Sequence, residues 1–468
     1  MSIFRIRLTH ASCRYMHTSR LARPISVAPM VDVTTPHFLE LLNIISGTDR
    51  YDYYSEMYHC HAIVNHRDHL DRFVGKPRSN VVVQLGGSDP DAMATAAKSL
   101  QDYGYSEVNI NAGCPSPNVQ SGQFGAVLMK TPHIVADILS AMDKHHVRIP
   151  VTVKCRIGVD HQESFEFLYD FVKAIAHTQK GTLPHLILHA RKCILKGLSP
   201  KQNRSIPPLN YKRVFEIAKS FPDLPISING GFNDVSQIKE VLTKVDGCMI
   251  GRKIMDKPLF LQQLDQHVYN QSEVKSLEKI INEYLDYTDS LLSLSLDKAD
   301  YGLPPFTLLL KPLMMLFDGK MGKNYRRLVD ERRRQTKSTS PEDFRSIVLG
   351  ALNDPRLIFT TIFEVKQPKN AKSPNTSKEI FDIAVLINHV VARDITLLLE
   401  FLVLQLKIIL LLIIAAMWRP YSDINNPQFR GIAFIMIHET DTLTGVTLIA
   451  RQPKEITAKT SKLNAIDN

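Results

Sequence analysis

Glycine and polar residues recur where short apolar runs end in the first 250 residues of this 468-residue chain. Asn229-Gly230-Gly231 follows one such run, and Gly251-Arg252 follows the next. Glycines let backbone N–H groups approach a phosphate closely, and an arginine adds a charge-assisted hydrogen bond. The two motifs, in this order and at this spacing, therefore predict a phosphate-binding site.

Two further side chains, Lys154 and Gln84, suit the recognition of a flat heteroaromatic ring. We expect them to point into one cavity from opposite sides. A lysine there could hold the N1–C2 edge of an isoalloxazine and stabilise its reduced anion, while Gln84 supplies amide hydrogen bonds. A salt-bridged lysine at the rim is the alternative for Lys154, and a histidine of the core is the alternative for His189.

One cysteine, Cys114, stands on a loop rich in glycine and proline, within Asn109-Ile-Asn-Ala-Gly-Cys-Pro-Ser-Pro. A thiol with a reference pKa of about 8.5 is mostly protonated at neutral pH, so it can be a nucleophile or a proton donor. Cys155 and Cys248 lie inside strand patterns and are interpreted as small buried hydrophobic residues. The six cysteines form no CxxC pair and no metal-ligand spacing, which predicts a reducing compartment and no metal.

The elements that must position these side chains are eight short apolar runs, each bounded by glycine, proline or polar residues. Such runs are typical of strands buried on both faces of a parallel sheet. Helical patterns separate them, and eight strand–helix repeats close a (β/α)8 TIM barrel, an α/β fold whose active site lies at the carboxyl ends of the strands. An open doubly wound sheet is less favoured, because no GxGxxG follows the first run. The predicted strands are Ser26–Ala28, Tyr53–Glu56, Val81–Leu85, Glu107–Asn111, Val151–Cys155, Leu186–His189, Ile226–Asn229 and Gly247–Ile250.

The chain changes character after residue 265, where strand patterns stop and long helical patterns begin, such as Val274–Leu294 and Pro305–Phe317. A basic stretch from Lys320 to Arg334 then predicts a smaller all-helical domain with a positive face. The formal net charge of +10 favours a polyanionic partner, although a soluble basic enzyme would have a similar charge. The predicted divisions are 1–23, 24–265, 266–365 and 366–468.

The first 24 residues contain five arginines and no acidic residue, which is typical of a mitochondrial transit peptide. A frayed basic N-terminus in a cytoplasmic protein is the alternative. We expect the basic leader to span 1–23 and the protein to be mitochondrial.

The region from 366 onward has a polar linker, 366–378, and an apolar segment, 397–417, interrupted by Glu400, Gln405 and Lys407. A membrane span needs about 20 apolar residues, and each central charge costs about 2.5–3.5 kcal/mol. Membrane contact through 397–417 is therefore not favoured, and a helix buried in an interface or an error in the gene model are the alternatives.

The motifs together resemble the tRNA-dihydrouridine synthases, in particular the bacterial A-type branch. The resemblance covers about residues 24 to 352. The stretches that carry it are Val27-Ala-Pro-Met-Val-Asp, Asn109-Ile-Asn-Ala-Gly-Cys-Pro, Gly122-Gln-Phe-Gly-Ala-Val-Leu-Met, Val153-Lys-Cys-Arg-Ile-Gly-Val-Asp and His189-Ala-Arg-Lys-Cys-Ile-Leu-Lys-Gly-Leu-Ser-Pro-Lys-Gln-Asn-Arg.

This resemblance implies FMN as cofactor, NADPH as reductant and a helical domain that binds tRNA, and we expect a monomer. It implies that Cys114 protonates C5 of uracil while flavin N5 delivers hydride to C6. Candidate RNA contacts are Asn111, Lys196, Arg204, Arg326 and Arg327. The residues expected to line the FMN site are Pro29, Met30, Val31, Gln84, Lys154, His189, Asn229, Gly230, Gly231, Gly251 and Arg252.

Two departures from the family pattern affect specific elements. Pro117 and Asn118 replace an Asp-Arg pair in the loop after Cys114, which puts that loop's rigidity and RNA contacts in doubt. Lys311-Pro312 replaces an Arg-His pair, and Pro312 is expected to kink its helix.

Two other functions are compatible with these motifs. A small-molecule flavin barrel of the dihydroorotate dehydrogenase type would share the barrel, the FMN and the loop cysteine, but it would not need the basic helical domain. A catalytically idle tRNA-binding protein would keep that domain and lack turnover.

Overall fold

The computed structural model describes residues 20–178, 181–297, 304–336 and 340–357, and the strands Ile432–His438, Leu443–Ala450 and Lys459–Asn464. The chain divides into two compact units, Met1–Gln367 and Pro368–Asn468. In the second unit, the three strands form an antiparallel sheet in chain order. Residues 1–19 of the expected leader, the linker 366–378 and the apolar segment 397–417 lie outside the described residues. Among the helices that are described, none is both long and apolar enough to cross a membrane.

Eight parallel strands close into a barrel in the first unit, which confirms the predicted (β/α)8 architecture. Going round the barrel, the order is β1-β8-β7-β6-β5-β4-β3-β2. The strands are β1 Ile25–Val27, β2 Tyr51–His59, β3 Val81–Gly86, β4 Val108–Ala112, β5 Val151–Arg156, β6 Leu186–His189, β7 Ile226–Asn229 and β8 Gly247–Ile250.

Barrel strands are buried on both faces, and this explains their continuous apolar sequence. Every residue of β3, β4, β7 and β8 is buried. Helices cover the outside and begin and end at residues suited to those places. The helix Pro90–Tyr103, for example, begins after Asp89, whose side chain accepts a hydrogen bond from Ala92 N, and it ends at Gly104, which has a left-handed φ of 116°.

The helices from the start of the barrel to residue 267 follow the strands in turn, with two helices after each of β2, β4 and β8. They are α1 Pro36–Ser46, α2 Cys60–Asn65, α3 Leu70–Phe73, α4 Pro90–Tyr103, α5 Pro117–Ser121, α6 Pro132–Lys144, α7 Phe165–Ala176, α8 Tyr211–Ser220, α9 Val235–Val241, α10 Arg252–Asp256 and α11 Phe260–His267.

Several strands extend further than the sequence patterns predict. The strand β2 runs to His59, and its register with β3 shifts between Tyr54 and Met57, as in a β-bulge. In β3, β4 and β5, the residues Gln84, Asn111 and Lys154 stand one or two positions before the strand ends. The patterns ended too early at residues of types that also occur in loops, such as Gly86 in β3 and Arg156 in β5.

A helical region follows the barrel, as predicted. Pro312 lies inside the second helix, which ends two residues later at Met314. Its neighbour Lys311 donates a hydrogen bond from Nζ to the backbone carbonyl of Asp32, on the loop after β1. Lys311 therefore links the helical region to a barrel loop. The helices are α12 Leu277–Asp297, α13 Phe306–Met314, α14 Gly319–Gln335 and α15 Pro341–Leu352.

Candidate functional site

The carboxyl ends of the barrel strands surround a cavity of about 590 Å³. This volume lies within the range of cofactor and small-molecule sites. The barrel therefore brings together side chains from all eight strand ends at one rim. The sequence-predicted residues that line the cavity are Pro29, Met30, Val31, Gln84, Asn111, Cys114, Lys154, His189, Arg204, Asn229, Gly230, Gly231, Gly251 and Arg252.

Gln84, Asn111 and Lys154 lie on the neighbouring strands β3, β4 and β5, and Asn111 pairs in register with Lys154. The expectation that Gln84 and Lys154 point from opposite sides is therefore wrong. Gln84 is on β3 and Lys154 is on β5, and these strands flank β4, so the two side chains are only two strands apart. Sequence order alone did not show this, because the angle between strands depends on how the barrel closes. Together they form a polar wall on one side of the cavity.

Electrostatics at this wall favours an anionic or electron-rich ligand. Burial, together with repulsion from the neighbouring Arg156, lowers the pKa of Lys154 to about 8. Burial also lowers the pKa of His189 well below its ordinary value, with added repulsion from Arg156 and Lys154. His189 is therefore a neutral imidazole at pH 7, while Lys154 is largely a cation that lacks full hydration.

The glycines after β7 are required by their backbone conformation and by their neighbours. Gly230 and Gly231 have φ values of 127° and 79°, which side chains rarely adopt. A Cβ on Gly230 would stand 2.9 Å from Cδ2 of His189, and a Cβ on Gly231 would stand 2.5 Å from Cδ1 of Leu209. Any residue other than glycine would therefore push His189 or Leu209 out of place.

Arginines complete the cationic side of the cavity near these glycines. Arg252 Nη2 donates a 3.0 Å hydrogen bond to the backbone carbonyl of Arg204, so the loop after β6 and the start of α10 are joined. Arg252 follows Gly251, where a Cβ would make only ordinary contacts, the nearest at 3.5 Å to Ala28. Arg204, Gly230, Gly231, Gly251 and Arg252 line this part of the cavity, here called the Arg252 corner. Guanidinium groups and the backbone N–H groups of glycines are suitable donors to a phosphate.

Asn111 holds the loop that carries Cys114. Its Oδ1 accepts hydrogen bonds from the backbone N–H groups of Gly113, at 3.0 Å, and Cys114, at 2.9 Å. Its Nδ2 donates to Gln84 Oε1 at 2.7 Å. The side chain thus has a positioning role in addition to the RNA contact expected from the sequence.

The departure at Pro117 does not leave the loop irregular. Pro117 is the first residue of α5, a place where proline is favoured because its missing N–H is not needed. Gln120, in the same helix, donates from Nε2 to the carbonyls of Pro115, at 2.8 Å, and Leu195, at 2.9 Å. These bonds connect the Cys114 loop to the loop after β6.

Arg156 is a site residue that the sequence reasoning missed. It is only 4% exposed and lines the cavity. Its Nε donates to Gly113 O at 3.0 Å, and its Nη1 donates to the carbonyls of Asn203, at 3.0 Å, and Lys192, at 3.2 Å. An arginine inside an apolar strand run was the available signal, because a buried guanidinium needs several acceptors.

Cys114 is half-buried and lines the cavity. Burial raises the pKa of Cys114, and attraction to Arg156, Lys154 and Arg204 opposes that shift only in part. The sulfur is therefore protonated at neutral pH. This state suits a proton donor better than a thiolate nucleophile.

Lys196, Arg326 and Arg327 are not among the residues that line the cavity. Lys196 is exposed on the loop after β6. Arg326 Nη1 contacts the carbonyls of Met314, at 3.3 Å, and Phe317, at 3.4 Å, while Arg327 forms a 3.4 Å ion pair with Glu331. All three side chains are exposed, so an RNA contact for them stays a prediction.

The residues present fit a flavin mononucleotide better than a metal ion. The polar wall offers amide hydrogen bonds and a lysine cation to a flat ring, and the Arg252 corner offers donors to a phosphate. Within the part of the chain that the structure describes, no group of three or more His, Cys, Asp and Glu side chains could hold a metal.

Comparison with known proteins agrees with this site. A family model described as Dihydrouridine synthase matches residues 26–343. A tRNA-dihydrouridine(20/20a) synthase of Vibrio vulnificus is 43% identical over 278 residues, which are 59% of this chain and 82% of the relative. The synthase of the same name from Synechocystis is 44% identical over 58% of this chain and 79% of the relative. The synthase of the same name from Escherichia coli is 43% identical over 55% of this chain and 76% of the relative. These relatives are bacterial, as the resemblance to the A-type branch implied, and the chain belongs to the dihydrouridine synthase family.

Proposed function

We propose that this protein is an FMN-dependent tRNA-dihydrouridine synthase that uses NADPH to reduce the C5=C6 bond of uridine in tRNA. The observation that carries the proposal is that one protonated thiol, Cys114, lines the same cavity as Lys154, Gln84 and the Arg252 corner. The names of the bacterial relatives support tRNA as the substrate.

In this proposal, Gln84 and Lys154 bind the isoalloxazine ring, and Arg252 with the backbone of Gly230 and Gly231 binds the phosphate. Bound and reduced, FMN would supply a hydride to C6 of the uracil. Lys154 would stabilise negative charge on the ring, because a buried lysine is poorly hydrated and interacts strongly with a neighbouring anion.

Cys114 would supply the proton that C5 takes up. Burial keeps the Cys114 sulfur protonated, and Asn111 holds its backbone through two N–H hydrogen bonds. Neutral His189 can donate or accept a hydrogen bond without adding charge. Asn111 therefore holds the loop of the proton donor in place before the substrate binds.

A uridine of folded tRNA must be extruded from its stack to enter this cavity. Extrusion requires contacts with the surrounding phosphates, and cationic side chains supply them. Arg204 at the cavity, Lys196 on the adjacent loop and the basic helix α14 are the surfaces proposed for this contact.

Mapping dihydrouridine in tRNA from cells that lack this protein tests the proposal. We expect at least one uridine position to lose dihydrouridine, with restoration by the wild-type chain and not by Cys114→Ala. Unchanged dihydrouridine at every position would contradict the proposal. If the purified flavin-containing protein instead reduces a free pyrimidine in the absence of tRNA, the result would favour the dihydroorotate-type alternative.

We also propose a mitochondrial location, with any cleavage of the leader before Arg20. Arg20 binds Asp246 through Nε at 2.8 Å and Nη2 at 2.7 Å, and Arg23 pairs with Asp52 at 3.1 Å. Asp246 also accepts the backbone N–H of Ile226, which begins β7. Removal of Arg20 would break its two hydrogen bonds to Asp246. N-terminal peptide sequencing of the protein from fractionated cells is the test, and a mature N-terminus beyond Arg20 would contradict it.

A further inference from the structure

A chain of hydrogen-bonded polar side chains runs from the Cys114 loop into the barrel interior. Asn111 Nδ2 donates to Gln84 Oε1 at 2.7 Å, and Gln84 Nε2 donates to Asn109 Oδ1 at 2.7 Å. Asn109 Nδ2 then donates to Thr152 Oγ1 at 3.0 Å. The Thr152 hydroxyl donates to Glu107 Oε1 at 3.0 Å. Gln84, Asn109 and Thr152 are each at most 1% exposed.

The direction of donation along this series of hydrogen bonds is fixed at the Asn111 end. Backbone N–H groups can only donate, so the Asn111 atom facing Gly113 and Cys114 must be the amide oxygen. The amide nitrogen of Asn111 then faces Gln84, whose oxygen must accept, and the same logic sets the amide of Asn109. Each amide has one orientation that satisfies its neighbours.

Going inward from Asn111 and Gln84, Asn109 is the first link that lies outside the cavity lining. It is fully buried in β4, between Gln84 on β3 and Thr152 on β5. Its Oδ1 holds the amide nitrogen of Gln84, so one N–H of Gln84 is fixed and the oxygen of Gln84 stays turned toward Asn111.

We propose that Asn109 is a positioning residue that sets the amide orientation Gln84 presents to the flavin and, through Asn111, the position of Cys114. This inference rests on the proposed function for its catalytic meaning. A leucine in place of Asn109 would leave the Gln84 N–H without its buried acceptor and the Thr152 oxygen without the donor Asn109 Nδ2. Gln84 would then rotate to find another acceptor. Asn111 Nδ2 would in turn lose Gln84 Oε1, the oxygen to which it donates.

The test compares Asn109→Leu with Asn80→Leu in the full chain. Asn80 is an equally buried asparagine whose Nδ2 donates to Asn43 Oδ1, at 3.0 Å, and Tyr51 O, at 3.1 Å, away from the residues that line the cavity. Both variants lose buried hydrogen bonds, so both should lower the melting temperature. Asn109→Asp is the conservative variant, because a buried neutral carboxyl group can accept from Gln84 and donate to Thr152.

Three measurements are made for each variant. They are the alkylation rate of Cys114 by iodoacetamide, read by peptide mass spectrometry without substrate, the absorbance spectrum of added FMN, and kcat and KM for tRNA. In Asn109→Leu we expect alkylation to change by about 5-fold or more. We expect the FMN spectrum to shift, and kcat to fall about 100-fold with little change in KM. Asn109→Asp should restore all three, and Asn80→Leu should change none of them.

Wild-type alkylation and FMN spectra in folded Asn109→Leu, or equal changes in Asn80→Leu, would overturn the positioning role. If Asn109→Leu does not fold, the isosteric Thr152→Val removes the acceptor of Asn109 Nδ2, and an unchanged alkylation rate there would overturn it equally. A wild-type protein that forms no dihydrouridine would refute the proposed function alone, because alkylation and FMN binding still report on Asn109.

Discussion

Gly125 lies directly against the backbone of Cys114. A Cβ on Gly125 would stand 2.6 Å from the carbonyl oxygen of Cys114, and that oxygen accepts a 2.9 Å hydrogen bond from Ala126 N. The same Cβ would lie 2.4 Å from Cγ1 of Val119 in α5. The segment that begins at Gly122 therefore packs against the loop that carries Cys114, and only glycine at position 125 permits this contact.

Gly125→Ala is expected to destabilise the protein and displace Cys114. Gly125 has a φ of 70°, and alanine there costs about 1–2 kcal/mol from conformation alone. Gly197→Ala is the matched control, because Gly197 has a φ of 91° and nothing within 4 Å of its Cβ position. Denaturant unfolding should show a larger loss for Gly125→Ala, with dihydrouridine formation reduced only in that variant. Equal losses in the two variants would show that the Cys114 contact is unimportant.

Cys114→Ala is expected to keep FMN bound and to reduce dihydrouridine formation by about 100- to 10,000-fold, the range typical of a lost general acid. The flavin absorbance of the purified variant measures the first property, and a tRNA reduction assay measures the second. Cys193→Ala removes another cysteine, fully buried beside the site, and should keep most of the activity. Comparable activity in Cys114→Ala and Cys193→Ala would remove Cys114 from its role.

The pH dependence of FMN binding should report on Lys154. Its pKa is lowered to about 8, so the ammonium is present below that pH and is lost as the pH rises through it. We expect the FMN dissociation constant to rise about 10-fold between pH 7 and 9, the loss of one charge-assisted contact. His189 stays neutral over this range and does not contribute. Fluorescence titration of Lys154→Met with FMN should show weaker binding than the wild type and no rise in the dissociation constant between pH 7 and 9. The same pH dependence in Lys154→Met and the wild type would show that Lys154 is not the titrating group.

The basic face of α14 should set part of the salt dependence of tRNA binding. Lys320, Lys323, Arg326 and Arg327 are all exposed on this helix. The plot of log affinity against log salt should lose about one unit of slope for each phosphate-contacting residue changed to alanine. Arg326→Ala should also lower the melting temperature, because Arg326 contacts carbonyls at the end of α13.

Lys244→Ala serves as the control for α14. Lys244 is a partly exposed cation that pairs with Glu240 at 2.8 Å, before β8 and therefore at the opposite end of the barrel from the cavity. Its removal should leave the salt slope unchanged. A slope that is the same in the Lys320/Lys323 double variant and the wild type would exclude α14 from the tRNA contact.

The sequence predicted the barrel well because its signals are local. Residues in a doubly buried strand are apolar in succession, and the turns that separate strands from helices contain glycine, proline and capping residues. The run Leu186–His189 is one example, since it was predicted with the same ends that the structure gives it. Strand ends were predicted less well where the last residue is of a type that also occurs in loops, such as Gly86 in β3 and Arg156 in β5.

By itself, the sequence determined the order of strands and helices and which residues lie at the carboxyl ends of the strands, because both depend on spacing along the chain. Only the tertiary structure decided that Gln84, Asn111 and Lys154 share one wall, that Arg156 joins the loops after β4 and β6, and that Asn109 links β3 to β5. These contacts join residues that are far apart in the chain, and they depend on the register at which the barrel closes.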